Sequence, residues 1–267
     1  MLKFISIGSG SSGNCYYLFT ENDGLIIDIG VGIRTLKKHF RDFGLSLSSI
    51  HHVLITHDHA DHIKSVGSIS HECRLPIYTT EKVHKGIDRN YCVQRKLSAD
   101  MKRYVVVGEP LQLGDFLVTP FHVPHDATEN VGYSIEAGGV NFCIMTDAGT
   151  ITDEMRPYIT KANYLVIEAN HDIEMLRNGT YPQYLKERIE SDNGHLSNAE
   201  CGKMLAENMS ERLKQVFLCH LSEENNHPEL ARKTVEAVLR SYGIIVGKDL
   251  QLDVLKRKTP TGIFELT

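Results

Sequence analysis

No stretch of this sequence approaches the ~20 consecutive apolar residues that a membrane-spanning helix needs, so no membrane partner is expected. A secretory leader is not visible either. Met1-Leu2-Lys3-Phe4 runs straight into a strand-like segment, with no long apolar core or small-residue cleavage site behind it. The six cysteines, Cys15, Cys73, Cys92, Cys143, Cys201 and Cys219, contain no Cys-x-x-Cys pair. In a chain this long, that absence argues against a disulfide framework and for reduced thiols in a cytoplasm. Cys143 and Cys219 sit in apolar runs and read as small buried hydrophobes. No basic excess marks a nucleic-acid binder, since the formal net charge is −5; two divalent cations would add +4, so the balance excludes little. Tryptophan, internal repeats, low-complexity tracts and long linkers are absent as well.

What is present is an ordinary globular composition: 267 residues, 41% hydrophobic and 24% charged, enough to bury a sizeable core in one domain spanning 1–267. Short apolar, β-rich runs predict strands at Leu2–Ile7, Cys15–Thr20, Leu25–Ile29, Val53–Thr56, Ile77–Thr79, Tyr104–Val107, Phe116–Pro120, Gly132–Glu136, Phe142–Met145, Tyr164–Ile167 and Val216–Cys219. Amphipathic spacing predicts helices at Ile33–Phe43, Thr180–Glu190, Asn198–Asn208 and Pro228–Ser241. Strands on both sides of the richest motif argue against cutting the chain in two.

That motif is His57-x-His59-x-Asp61-His62, directly after the strand ending at Thr56. Histidine nitrogens and carboxylate oxygens are the donors that Zn²⁺ and related ions take, at about 2.0–2.2 Å. Alternating residues on a strand-to-loop turn aim His57 and His59 at one ion, while Asp61 and His62 open a helix and turn toward a second. Four ligand-type side chains within six residues are not what a core or a solvated face needs. Fourteen histidines in the chain point the same way.

The motif resembles the signature of the metallo-β-lactamase superfamily. The resemblance implies an α/β fold, a four-layer αββα sandwich with two mixed β-sheets flanked by helices. It also implies further site residues, in order. Asp28 resembles the aspartate that orients the histidine loop from behind. His125 resembles the third-motif ligand, with His122 a rival three residues earlier and the spacing to Asp126 favouring His125. Asp147 resembles the bridging carboxylate and His220 the last ligand. His57, His59 and His125 would then hold one ion, Asp61, His62 and His220 the other, and Asp147 both. Such a pair, Zn²⁺ or Mn²⁺, would activate a hydroxide and offset transition-state charge.

The superfamily cleaves thioesters, lactams, lactones and phosphodiesters, so the fold alone leaves the substrate open. Glu168, ending a buried strand, and His195, in Asn193-Gly194-His195-Leu196-Ser197-Asn198, resemble the acid–histidine pair of transfer-RNA 3′-processing enzymes; the plain alternative is a strand-end cap and a packed histidine. Gly8-Ser9-Gly10-Ser11-Ser12-Gly13-Asn14 offers backbone N–H groups, with Ser11, Ser12 and Asn14, to a phosphate, or is simply a flexible loop. It lacks the Lys and the helix of a Walker loop. With Gly194–Asn198 and His220-Leu221-Ser222-Glu223-Glu224-Asn225-Asn226, the chain resembles the YycJ/WalJ/VicX branch along nearly its whole length. That resemblance implies a 5′→3′ exonuclease on double-stranded DNA, with Asp61, Glu168 and His195 in the chemistry. A processing ribonuclease, a thioesterase or lactonase, and a regulatory protein with a vestigial site are the alternatives.

Basic residues are dispersed. Arg34, Lys37, Lys38 and Arg41 share a helix. Lys82, Lys85, Arg89, Arg95, Lys96, Lys102 and Arg103 are spread over the middle, and Lys256-Arg257-Lys258 lies near the end; all read as solvated faces. Lys186 and Arg188 are the expected substrate contacts, because the resemblance puts their segment over the cleft. Tyr181 and Tyr184 beside them either stack on an end base or, the plainer expectation, pack.

Overall fold

The computed structural model describes residues 1–267. Its strands form two seven-stranded sheets that divide the chain into a front and a back half. The front sheet takes β1 (Leu2–Gly8), β2 (Cys15–Phe19), β3 (Gly24–Ile27), β4 (His52–Leu54), β5 (Ile77–Thr79) and β6 (Lys102–Tyr104). The back sheet takes β7 (Leu111–Leu113), β8 (Phe116–His122), β9 (Val131–Ala137), β10 (Val140–Met145), β11 (Tyr164–Glu168), β12 (Gln215–Cys219) and β13 (Gln251–Val254). The chain then returns to the front edge as β14 (Phe264–Leu266). The front order is β14-β1-β2-β3-β4-β5-β6 and the back order β13-β12-β11-β10-β9-β8-β7. Both sheets are mixed in the same way, parallel from β3 to β6 and from β10 to β13, antiparallel elsewhere.

Four layers follow from the alternation of side chains along each strand. Phe4, Leu18, Leu25 and Leu54 of the front sheet meet Phe142, Ile144, Val166 and Phe217 of the back sheet in a core between the two. The Phe4 ring stands 5.1 Å from Phe142 and 5.0 Å from Phe217, which ties β1 of the front sheet to β10 and β12 of the back sheet. The outward residues Ile5, Tyr17, Ile26 and Val53 pack under α1 (Ile33–Asp42), α2 (Ala60–Ile63), α3 (Val66–Cys73) and α4 (Glu81–Arg89). On the far side, Cys143, Leu165, Ile167 and Leu218 pack under α5 (Arg156–Lys161), α8 (Asn198–Asn208) and α9 (Pro228–Ser241). Two short helices, α6 (Ile173–Asn178) and α7 (Gln183–Ile189), precede α8.

The central strands coincide with the apolar runs of the sequence. At the edges they do not. The strand expected at Tyr104–Val107 is displaced to Lys102–Tyr104, because pairing of Ile77–Thr79 with Lys102–Tyr104 sets the register of this edge strand. The helix expected over Thr180–Glu190 begins only at Gln183, with Pro182 at its cap. Proline has no N–H and biases the residue before it away from helical backbone. α8 is capped by Ser197, whose hydroxyl accepts from Glu200 N–H while the Glu200 side chain accepts from Ser197 N–H. This cap fixes the end of the segment that carries His195.

Candidate metal centre

Most ligand-type residues of the sequence motifs sit just past the carboxyl end of a strand, on the edge where the open ends of parallel strands gather and where α/β sheets bind ligands, while Asp61 and His62 stand on α2. Asp28 follows β3, His57 lies beyond β4, His125 beyond β8 and Asp147 beyond β10; Glu168 ends β11 and His220 follows β12. Asp28, Asp147 and His220 have left-handed backbone, φ 59°, 56° and 52°, and the only other non-glycine with positive φ is Arg74 at a helix end. Left-handed backbone is unfavourable for these residues and turns each side chain sharply off its strand axis into the site. Gly30 lets the loop after β3 reach the motif: a Cβ there would lie 1.6 Å from the Asp61 carbonyl oxygen.

Buried Asp28 organises the histidine loop. It accepts from Thr56 N–H at 2.8 Å, from the Thr56 hydroxyl at 2.8 Å and from His62 Nδ1 at 2.7 Å. The Thr56 hydroxyl has spent its hydrogen on Asp28, so it accepts from His57 Nδ1, 2.9 Å away. His125 Nδ1 donates to Gly194 O at 3.0 Å, and His220 Nδ1 donates to Glu168 Oε1 at 2.8 Å. Four rings are thereby held by Nδ1, leaving Nε2 for the centre. His57 Nε2 is buried without any partner, a costly state for a polar atom that a bound ion would relieve. His59 presents Nδ1, 3.3 Å from His125 Nε2.

Two pockets result. The ligand atoms of His57, His59 and His125 converge in one, and those of Asp61, His62 and His220 in the other, where His220 Nε2 is 3.3 Å and His62 Nε2 3.6 Å from Asp61 Oδ2. Asp147 lies between them, Oδ2 3.2 Å from His62 Nε2 and Oδ1 3.7 Å from His125 Nε2. This nitrogen and carboxylate donor set, with second atoms tied back, fits divalent cations.

Electrostatics separate the pockets. Burial pulls His57 well below the usual imidazole value and also lowers His125. Burial acts on His62 in the same direction, but Asp147, Asp28 and Asp61 outweigh it and push the ring up to about 10. His220 is likewise raised well above its ordinary value, burial being outweighed by Asp147, Asp61 and Glu168. Glu168, completely buried, accepts from His195 Nδ1 at 2.8 Å and His220 Nδ1 at 2.8 Å on one oxygen, and from Ala148 N–H at 3.0 Å and Leu196 N–H at 3.4 Å on the other. Burial would raise its carboxyl, yet the two histidines lower it; in turn Glu168 raises His195 against burial.

Several expectations need correction. Asn14 does not face an open wall. It is fully buried, with Oδ1 accepting from Gly10 N–H at 2.9 Å and Nδ2 lying 3.2 Å from Asp61 Oδ2 and 2.9 Å from His62 Nε2. At Nε2 the Asn14 N–H favours a lone pair and the carboxylates a proton; the full charges win. Ser11 and Ser12 are exposed, and Ser11 lines a cleft of about 180 Å³ with Tyr181, Arg188, His195, His220 and Ser222. Lys186 does not reach it: its ammonium donates to Arg177 O at 2.7 Å. Arg188 does, held in an ion pair with Asp126. Tyr184 is 72% exposed instead of packed. His122 is exposed and joins no ligand cluster. Arg257 is no solvated charge: its guanidinium donates to Leu221 O at 3.0 Å, Ser222 O at 2.6 Å and Asn226 O at 2.7 Å, clamping the loop after His220. Its position in a basic triplet gave no sign of that role. The contact of Glu168 with His220 was also beyond the sequence.

The Beta-lactamase superfamily domain profile matches residues 25–220, from the start of the Asp28 strand to the last candidate ligand. The exodeoxyribonuclease YycJ of Bacillus anthracis is 35% identical over 262 residues, covering 98% of both chains. The exodeoxyribonuclease WalJ of Streptococcus pneumoniae serotype 2 is 33% identical over 264 residues, covering 99% of this chain and 98% of the relative. The metallo-β-lactamase fold protein YhfI from Bacillus subtilis superposes with a TM-score of 0.71 at 18% identity, over 97% of this chain and 98% of that one, a likeness of fold alone. With the profile running from the strand before Asp28 to the last candidate ligand and the relatives aligned over nearly their whole length, the chain belongs to the metallo-β-lactamase superfamily, in its YycJ/WalJ-like branch.

Proposed function

We propose that this protein is a metal-dependent exonuclease that degrades double-stranded DNA from a 5′ end. The names of its relatives support a nuclease. The observation that carries the reading is the Glu168–His195 pair, 2.8 Å long, with His195 Nδ1 3.8 Å from Asp147 and the ring lining the cleft. A thioester expels a thiolate, which leaves without a proton, whereas a phosphodiester expels an alkoxide, which needs one.

His57, His59 and His125 would hold one ion and Asp61, His62 and His220 a second, with Asp147 serving both; Zn²⁺ and Mn²⁺ both suit these donors. Bound divalent cations supply Lewis acidity toward a phosphoryl oxygen and lower the pKa of water. The chain's own residues do the rest. Glu168 holds His195 by Nδ1 and favours its cationic form, so Nε2 is the atom left to give a proton to the departing 3′-oxygen. Arg188 and Ser11 line the cleft where a phosphate would lie. The cleft, at about 180 Å³, is below the ~300–1,000 Å³ of pockets that engulf a whole small ligand, which suits the end of a long one.

The test is purified protein with end-labelled duplex DNA, single-stranded DNA and RNA, in Mn²⁺, Zn²⁺ and chelator. Loss of label from duplex 5′ ends, abolished by chelator and by His59→Ala, is expected. A preparation that hydrolyses thioesters or lactones and no nucleic acid overturns the reading.

A further inference from the structure

Cations on and around α4 and the end of α2 are of two kinds. Lys82, Lys85 and Lys102 are neutralised, by Glu129 at 3.0 Å, Glu81 at 2.7 Å and Asp88 at 2.6 Å. Lys64, Arg89 and Arg95 are exposed and make neither an ion pair nor a side-chain hydrogen bond. The backbone ties all three to the centre. Lys64 caps α2, two residues past His62. Arg89 ends α4, and the next residue, Asn90, donates Nδ2 to the Asp58 carbonyl at 2.8 Å, inside the His57–His59 motif. α4 approaches that motif so closely that a Cβ on Gly86 would lie 2.0 Å from Asp58 Oδ2. The Arg95 carbonyl presses on α3, 1.5 Å from where a Cβ of Gly67 would stand, three residues beyond Lys64. Between these cations stands Tyr91, 93% exposed, the most exposed large hydrophobic side chain of the molecule.

We propose that Lys64, Arg89, Tyr91 and Arg95 form a ledge that carries duplex DNA into the metal centre, the three cations on backbone phosphates and the tyrosine ring against an end base. The proposal rests on the nuclease reading above. What sets these three apart is their place: they gather beside a phosphodiester-type site with no carboxylate paired to them. Phosphates give them partners, and every base has a face on which a tyrosine can stack. Their place at the rim of a site proposed to cut DNA favours a duplex as the occupant over an acidic protein or a lipid surface. The ledge is built from the front half of the molecule, whereas Arg188 stands on α7 of the back half.

The experiment compares wild type, Tyr91→Ala and the triple variant Lys64→Gln/Arg89→Gln/Arg95→Gln. Readouts are kcat and KM on end-labelled duplex, kcat/KM on bis(4-nitrophenyl) phosphate, and duplex affinity by fluorescence anisotropy in a His195→Ala background across a salt series. The triple variant should bind duplex at least about tenfold more weakly, with a log–log salt slope shallower by about 2–3. Tyr91→Ala should raise KM on duplex by about 5–100-fold. Hydrolysis of the small diester should be unchanged in both. Unchanged duplex affinity and salt slope, or equal loss on the small diester, overturns the ledge. A wild type that binds duplex through these residues and cuts no nucleic acid upholds the ledge while the nuclease reading fails.

Discussion

The two ligand pockets lie side by side yet are held together by different forces. His57, His59 and His125 form a cradle of nitrogens with no carboxylate of its own, in which burial keeps His57 and His125 neutral and His57 Nε2 has no partner. Asp61, His62 and His220 form an ion-paired cluster whose charges satisfy one another without any ion. The first pocket is ready for a cation. The second must first give up protons. Asp147 and Glu168 are what the pockets share with each other and with His195, and each point of sharing is a place where the difference can be broken.

The largest effect is expected at the bridge. Asp147→Asn removes the carboxylate that faces both pockets, so metal content should fall below two per chain and the rate on DNA should drop by at least about 10²–10³-fold. Elemental analysis beside single-turnover rates checks this; unchanged stoichiometry and affinity would defeat the shared-carboxylate picture.

Next comes the acid. His195→Ala should lower the chemical rate by about 10²–10⁴-fold with both metals retained. Much of that loss should be recovered on a nitrophenyl phosphodiester, whose leaving group hardly needs a proton. Because Glu168 also holds His220 at 2.8 Å, Glu168→Gln should differ from His195→Ala by weakening the second pocket's ion as well. Equal impairment of His195→Ala on both substrates would give His195 another role.

Asn14→Ala sharpens the comparison further. Its amide touches only the second pocket, so affinity there should fall by about 10–100-fold while the first is untouched. A two-site metal titration that shifts both constants equally, or neither, contradicts this.

The smallest effect is the pH dependence. His62, raised to about 10, and His220, also raised, carry protons at neutral pH in the metal-free protein, and both must lose them to bind an ion. Filling the second pocket should release about two protons, and its affinity should weaken as pH falls, by roughly tenfold per proton and unit. In the first pocket His57 and His125, whose values burial lowers, should add little to this near pH 7. In the metal-free protein the sign reverses: the contribution of His62 to stability is complete below about pH 6.5 and is lost as pH rises through about 10. Calorimetry in buffers of different ionisation enthalpy measures the release; proton uptake, or none, would refute it.

Much of the fold was legible because central strands are buried on both faces and read as unbroken apolar runs, as at Leu25–Ile27 and Val216–Cys219. The edge strands β7, β13 and β14 were not legible. They are three or four residues long, mix polar with apolar positions, and are defined by the neighbour they pair with. Helices α3, α5 and α6 were missed for a related reason: they are short, and tertiary packing decides them more than periodicity does, whereas α4, amphipathic over nine residues and capped by Thr80, was legible in its periodicity.

The sequence by itself determined the ligand-rich turn, since His57 to His62 are spaced by local backbone geometry and need no distant partner to converge. It also determined, through the ordered motifs, which strand ends would carry acids and histidines. Only the tertiary structure decided which atom each ring presents, that Glu168 forks between His195 and His220, that Asn14 braces Asp61 from behind, and that Arg257 clamps the loop after the last ligand. Those contacts join residues 27 to 52 positions apart, and the bond from His220 N–H to Ser9 spans 211. No local pattern encodes such pairs; they exist because two sheets pack face to face and bring their open strand ends to one edge.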